Sequence, residues 1–178
     1  MTLNTVIWTL ASTLIAFVLG FALALALHRD FRGRGILRAI FIIPWVISAV
    51  AASYIWKWIY HSDFGIIGAV LVQLGLTSEP PNLIDNINTV LPSLIVVNIW
   101  REFPFAMIML MAGLQTVPEQ LLRAAQVDGA SAWQRFWHVT FPMIVPAVVA
   151  GGMLVFTLSL DDFVVSFFTT GPGSTTLP

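Results

Sequence analysis

No ionisable side chain occurs before His28, so residues 2–27, TLNTVIWTLASTLIAFVLGFALALAL, form one uncharged run. Roughly 20 predominantly apolar residues are enough to cross the hydrocarbon core of a bilayer as a helix. The run lacks a basic leader and an A-x-A-like cleavage site followed by polar sequence, so it reads as a membrane span rather than a signal peptide. Composition agrees: 58% of the 178 residues are hydrophobic and 10% are charged, against roughly 25% charged in an ordinary soluble domain. Three further runs of spanning length follow, at about Ala39 to Tyr60, Val90 to Leu114 and Val139 to Leu160. Pro44 lies inside the second, whose first charge, Lys57, stands near enough to its end to snorkel. The expected fold is all-α, a polytopic transmembrane helix bundle of about four spans.

The charges between the runs set the orientation. HRDFRGRGILR carries Arg29, Arg32, Arg34 and Arg38 against Asp30 alone, which marks residues 28–38 as cytoplasmic. Residues 61–89 carry Asp63, Glu79 and Asp85 and no Lys or Arg, as an external loop should. Within that loop FGIIGAVLVQLGL is too short to span and reads as an interfacial or re-entrant helix closed by SEPPN. Counting onward puts residues 116–138 in the cytoplasm and the tail outside. Four spans with both ends outside, and a TTGPGSTTLP tail that stops at a turn, are expected of a segment of a longer chain.

Several chemistries fall away. With zero cysteines there is no disulfide framework, thiol nucleophile or cysteine-held metal. His28 and His138 belong to the cytoplasmic side and His61 to the external side, so they do not form one catalytic or metal site. No G-x-x-x-x-G-K-[ST] phosphate loop is present, so the chain is not expected to hydrolyse ATP. A net charge of −1 gives no reason to expect a nucleic-acid partner.

The most polar long passage lies between the third and fourth runs, EQLLRAAQVDGASAWQRFWHVTFPMIVP. TVPE at 116–119 predicts a helix start, with Thr116 as cap and Glu119 completing a capping box. Gly129 breaks the helix. Ser131 with Gln134 repeats the box and opens a second short helix carrying Trp133, Phe136 and Trp137. A connection between spans needs only a few turn residues, so a capped, glycine-broken pair is either an amphipathic helix lying on the headgroups or a docking element. Small Ala124 and Ala125 beside the glycine corner would let another protein approach the backbone, with Arg123, Asp128 and Arg135 as rim charges.

RAAQVDGASAWQRFWHVTFPMIVP resembles the cytoplasmic EAA loop of permease subunits of bacterial ABC importers, with the pattern E-A-A-x-x-D-G-A, then F-x-x-I-x-L-P, then a proline. Ala124, Ala125, Asp128, Gly129, Ala130, Phe136, Val139, Phe141, Pro142 and Pro146 fall on it. The family's leading glutamate is Arg123 here, and Glu119, one helical turn earlier, is the candidate substitute. Residues from Asn4 to about Leu71 are similar to the carbohydrate-importer branch, the maltose, trehalose and glycerol-phosphate permeases. The stretch FTLSLDDFVVSFFTTGPGSTTLP resembles the spermidine/putrescine permeases instead. The resemblance implies a type I ABC importer permease of the bacterial inner membrane, with no cofactor of its own. Its implied partners are an ABC ATPase dimer that uses ATP and Mg, a second permease subunit and an extracytoplasmic solute-binding protein, with substrate moved by alternating access. A sugar or sugar derivative is the expected cargo; the alternatives are a polyamine importer permease and a non-transporting structural membrane protein.

Within the spans, Arg101 and Glu102 interrupt the third run near its middle, where a charge costs on the order of 3 kcal/mol by insertion scales. One or both face a translocation cavity between subunits, or they pair, buried, with another span or with the partner permease. Asp161 and Asp162 end the fourth run; they either attract a cationic solute or face water at the helix exit. Asn98, Trp100, Gln115, Trp45, Trp56, Trp58 and Tyr60 could contact sugar, although Trp and Tyr near span ends commonly anchor at the interface.

Overall fold

The computed structural model describes residues 2–161, and of the side chains those of residues 4–159. The described residues are all helix and connection, with α1 (Thr2–His28), α2 (Arg34–Val46), α3 (Ala49–Ile59), α4 (Ile66–Gln73), α5 (Val90–Gln115), α6 (Glu119–Val127), α7 (Ala132–Arg135) and α8 (Phe141–Asp161). Among them three helical stretches are long and apolar enough to cross a membrane, or four if the bent pair α2–α3 counts as one span. The first and third spans stand almost where the sequence puts them.

Helix α5 is central, with α1 and α8 packed against it and against each other, and α2 alongside. The α1–α5 contact has a simple origin in sequence. On α1 the buried residues recur every fourth position as Trp8, Ser12, Ala16, Gly20 and Ala24; on α5 they recur as Val90, Leu94, Asn98, Glu102, Ala106, Leu110 and Leu114. The two stripes of every-fourth residues are the kind of ridge that packed helices interlock. Because lipid tails are as apolar as the helices, close van der Waals fit supplies the attraction, and small residues permit that fit. Near the ends of α1 and α5 at His28 and Gln115, Ala24 and Leu27 join Met107, Leu110, Leu114 and Ile144 in one core. At the other end Trp8 packs on Val90 and Leu94.

Two elements differ from the simple span pattern. The second span is broken, since α2 and α3 meet at 96°. Pro44 removes a backbone donor near the end of α2, and Ile47 (ψ 133°) and Ser48 (ψ 137°) are extended, so the helical ladder stops and restarts. The fourth span begins early: α7 runs through a π-helical turn, Phe136–Thr140, straight into α8. Pro142 lies just beyond that turn. Its missing N–H leaves a carbonyl one turn back without its helical partner, and widened turns of this kind take up such a defect.

In the connection from α3 to α5 the eight-residue α4 stands within the stretch expected to be interfacial. Its Ile67 packs with Leu83 and Ile84 around Tyr60 and Val97. The Tyr60 hydroxyl donates to the Ser93 carbonyl at 3.0 Å, which ties the α3 end to α5.

Candidate coupling loop and membrane-interior polar site

The connection from α5 to α8 is built as two helices around a glycine corner. Thr116 does not cap the first of them; it ends α5, where its Oγ1 donates to the Gly113 carbonyl at 2.8 Å. Helix α6 starts instead at Glu119 after an extended Pro118, with no side-chain cap. Proline at that point already lacks one of the donors that a helix start leaves unsatisfied, which lowers the need for a cap. The other end of α6 is a Schellman motif: the Gly129 N–H donates to Gln126 O at 3.1 Å and the Ala130 N–H to Ala125 O at 2.9 Å. Gly129 has φ +81°, a left-handed conformation that L side chains rarely adopt. The second capping box is present in full, with Ser131 N donating to Gln134 Oε1 at 2.8 Å and Gln134 N to Ser131 Oγ at 3.3 Å.

The corner presents an open surface. Glu119, Arg123, Ala124, Asp128, Gly129 and Pro142 are exposed, and Ala125, Ala130 and Phe136 are half-buried. Arg123 and Glu119 form an ion pair at 2.8 Å, so the acid one turn before the reversed position neutralises it in place. Arg135 Nη1 donates to Gln126 Oε1 at 2.9 Å, which fixes the second helix against the first. Between them runs a shallow groove of about 380 Å³ lined by Ala125, Asp128, Gly129, Ala130, Arg135 and His138. A second hollow of about 420 Å³, shared by Leu121, Ala124, Pro142 and Met143, continues it towards α8. Such an arrangement holds a rigid, small-residue surface out from the bundle.

Inside the bundle the candidate path residues separate. Asn98, 1% exposed, lies within the packed helices and joins all three long ones. Its Nδ2 donates to Ser12 Oγ of α1 and Ser159 Oγ of α8, each at 2.9 Å. The two serine hydroxyls lie 3.0 Å apart. Glu102, one turn on, is 4% exposed; Arg101 is half-buried, and neither side chain is without an interaction. Asp161 is the last described residue, without a described side chain, and Asp162 lies outside the described residues. Most of the stretch that resembles polyamine permeases falls outside them too.

The aromatic residues form contacts of their own. Trp56 lies edge-on to Trp100 (5.5 Å) and near Tyr60 (5.3 Å), Trp45 stacks on Phe105 (5.7 Å), Trp58 lies near Phe64 (5.4 Å), and Gln115 is exposed at the end of α5. Sequence reasoning missed Ser12 and Ser159. The available signal was the fourfold spacing of Trp8, Ser12, Ala16 and Gly20, which puts the serine on the same buried stripe as the small residues.

Residues 16–178 match the model of one family, described as the inner membrane component of binding-protein-dependent transport systems. The chain belongs to that family. It is 42% identical over 157 residues, 87% of its length, to the trehalose transport system permease protein SugA of Mycobacterium tuberculosis, covering 48% of that protein. It is 31% identical over 97% of its length to the trehalose/maltose permease MalF of Thermococcus litoralis, covering 58% of it. The chain therefore spans about half the length of these relatives. Its fold superposes with a TM-score of 0.85 and 25% identity on a chain of a bacterial ABC transporter that imports the acidic polysaccharide alginate, over 96% of this chain and 60% of that one. Those relatives are named as transport permeases, and membership of the family places this chain among multi-pass inner membrane proteins.

Proposed function

We propose that this chain is the membrane-spanning core of a sugar-importing ABC permease, with a disaccharide or another small glycoside as cargo. The observation that carries the reading is the 42% identity to a trehalose permease over 87% of the chain. The loop geometry supplies the mechanism. Residues 119–138 seat in an ATPase subunit, which binds ATP and Mg. Because α7 continues through the π-helical turn into α8, a pull on the loop is delivered directly to the fourth span. A second permease subunit completes the path, and a solute-binding protein delivers the cargo; a relative of similar fold is described in complex with an alginate-bound periplasmic protein. Arg101, half-buried, faces that path, and Asn98 and Glu102 lie behind it on the buried stripe of α5. In this reading residues 28–38 and 116–138 lie in the cytoplasm.

The test is co-expression with an ABC ATPase and a partner permease, comparing wild type with Ala124→Arg, then ATPase assays with sugar-loaded binding protein. Ala124 is exposed, so the substitution leaves the fold intact. Retention of the ATPase by wild type and its loss by the variant support coupling, and stimulation by a disaccharide supports the cargo. Equal retention by both forms removes the loop from the coupling role; stimulation by spermidine in place of sugar overturns the cargo.

A further inference from the structure

A cleft lies not on the open corner but behind it, where α1 and α5 both end. It measures about 650 Å³ and is walled by Leu25 and Arg29 from the end of α1, Leu114 from α5, Leu122 from α6, and Trp133 and Phe136 from the α7 turn. We propose that this cleft binds an anionic phospholipid of the cytoplasmic leaflet. The proposal rests on membrane placement and on the arginine-rich first connection, not on the identity of the transported solute.

Three features converge on an amphipathic anion. The first is level: α1 ends at His28 and α5 at Gln115, so the cleft opens where two apolar spans leave the hydrocarbon. The second is a gradient of lining. Of the lining residues Leu114 is buried and Leu25 and Phe136 are half-buried, and Phe136 is in turn 6.2 Å from Phe21 further along α1, whereas His28 and Arg29 are exposed. An acyl chain fits the first group and a phosphate the second. The third is charge. The one acid lining the cleft, Glu119, is held by Arg123 at 2.8 Å. Asp30, next to the rim, is paired with Arg34, so the positive potential of Arg29 is not cancelled by either. Basic pockets between spans on the cytoplasmic side recognise anionic head groups. Trp133, 69% exposed, lies on the same lining, and a ring of this kind favours the headgroup boundary.

The experiment is a lipid titration of the delipidated full chain in detergent, read by native mass spectrometry, with phosphatidylglycerol and phosphatidylcholine as probes. Arg29→Glu reverses the rim charge, Ala132→Trp fills the cleft, and Arg32→Glu alters an exposed arginine that does not line it. Phosphatidylglycerol should bind in preference to phosphatidylcholine. Arg29→Glu should weaken it on the order of thirtyfold, as a two-unit charge change near an anionic head group implies. Ala132→Trp should lower occupancy of both lipids, and Arg32→Glu should change little. Equal binding of the two lipids overturns the proposal, as does equal weakening by Arg29→Glu and Arg32→Glu, which would mean diffuse attraction. Competition by inorganic phosphate at the concentration of the lipid would show a bare anion site and overturn it as well. Circular dichroism of each variant identifies any that has lost its helices; if Arg29→Glu does so, Arg29→Gln takes its place, with a weakening of about fivefold expected for one charge.

Discussion

Gly20 of α1 and Ala106 of α5 meet so closely that a Cβ on Gly20 would stand 2.7 Å from the Ala106 Cβ and 2.8 Å from the Met107 nitrogen. The two positions are 86 apart in number, the same offset that separates Ser12 from Asn98. One register therefore runs through the contact, with both helices in the same direction, and the glycine allows a close approach within it. A side chain here has nowhere to go, because one obstacle is backbone. Gly20→Leu should destabilise the α1–α5 pair by at least the 1–3 kcal/mol typical of overpacking. Thermal unfolding in detergent checks this against Val18→Leu, whose exposed site should tolerate the extra methylene. An unchanged midpoint for Gly20→Leu would mean that the two helices do not touch at this register.

Asn98 binds two helices with one amide. Polar contacts between spans average about 0.6 kcal/mol in double-mutant cycles and reach roughly 2 kcal/mol at most. A cycle of Asn98→Ala and Ser159→Ala should give a coupling energy of about that size, and so should the cycle with Ser12→Ala. Coupling near zero in both would show that the amide does not bridge the helices. Replacing Asn98 with Leu tests a second aspect: a larger apolar group lacks both donors, so the variant should lose stability even though its hydropathy rises.

The spans were legible because an apolar run of bilayer length has few readings. The capping box at Ser131 and the glycine corner were legible for the same reason: the residues that make them act within four positions of one another. What the sequence did not disclose depends on partners distant in the chain. Thr116 matched a cap by spacing but bonds back to Gly113, because α5 runs on through Gln115 and Pro118 starts α6 without help. The 96° break between α2 and α3 does not follow from Pro44 alone, since the residues after it, Ile47 and Ser48, leave the helical conformation and make the turn. Asn98 had the composition of a substrate contact; only the positions of Ser12 and Ser159 show it enclosed.

At Gly129 the backbone φ of +81° is the requirement, since a Cβ there would meet nothing within 4 Å. Gly129→Ala should then cost about 1 kcal/mol through the left-handed conformation alone, without a clash. The loss should be local. Hydrogen exchange at Gly129 and Ala130, whose N–H groups close the corner, should accelerate about fivefold, while exchange in α5 stays unchanged. Acceleration throughout the bundle would mean that the corner is part of the folding core, contrary to its exposure.

The Glu119–Arg123 pair separates a structural from a docking role for the reversed charge. Both side chains are about three-quarters exposed, at 73% and 72%, and pairs one turn apart on an exposed helix contribute only about 0.3–0.5 kcal/mol. Neither Glu119→Gln nor Arg123→Ala should therefore shift thermal stability appreciably. Binding to an ATPase subunit is the more sensitive readout. If Glu119 makes the acidic contact that the resemblance assigns to position 123, Glu119→Gln should weaken retention by about thirtyfold or more, as loss of one partner of a buried charge pair, roughly 2 kcal/mol or above, does. Arg123→Ala, which frees the acid, should leave retention equal or stronger. The opposite ranking would show that Arg123 itself makes the contact, and that the partner carries an acid where a base is expected.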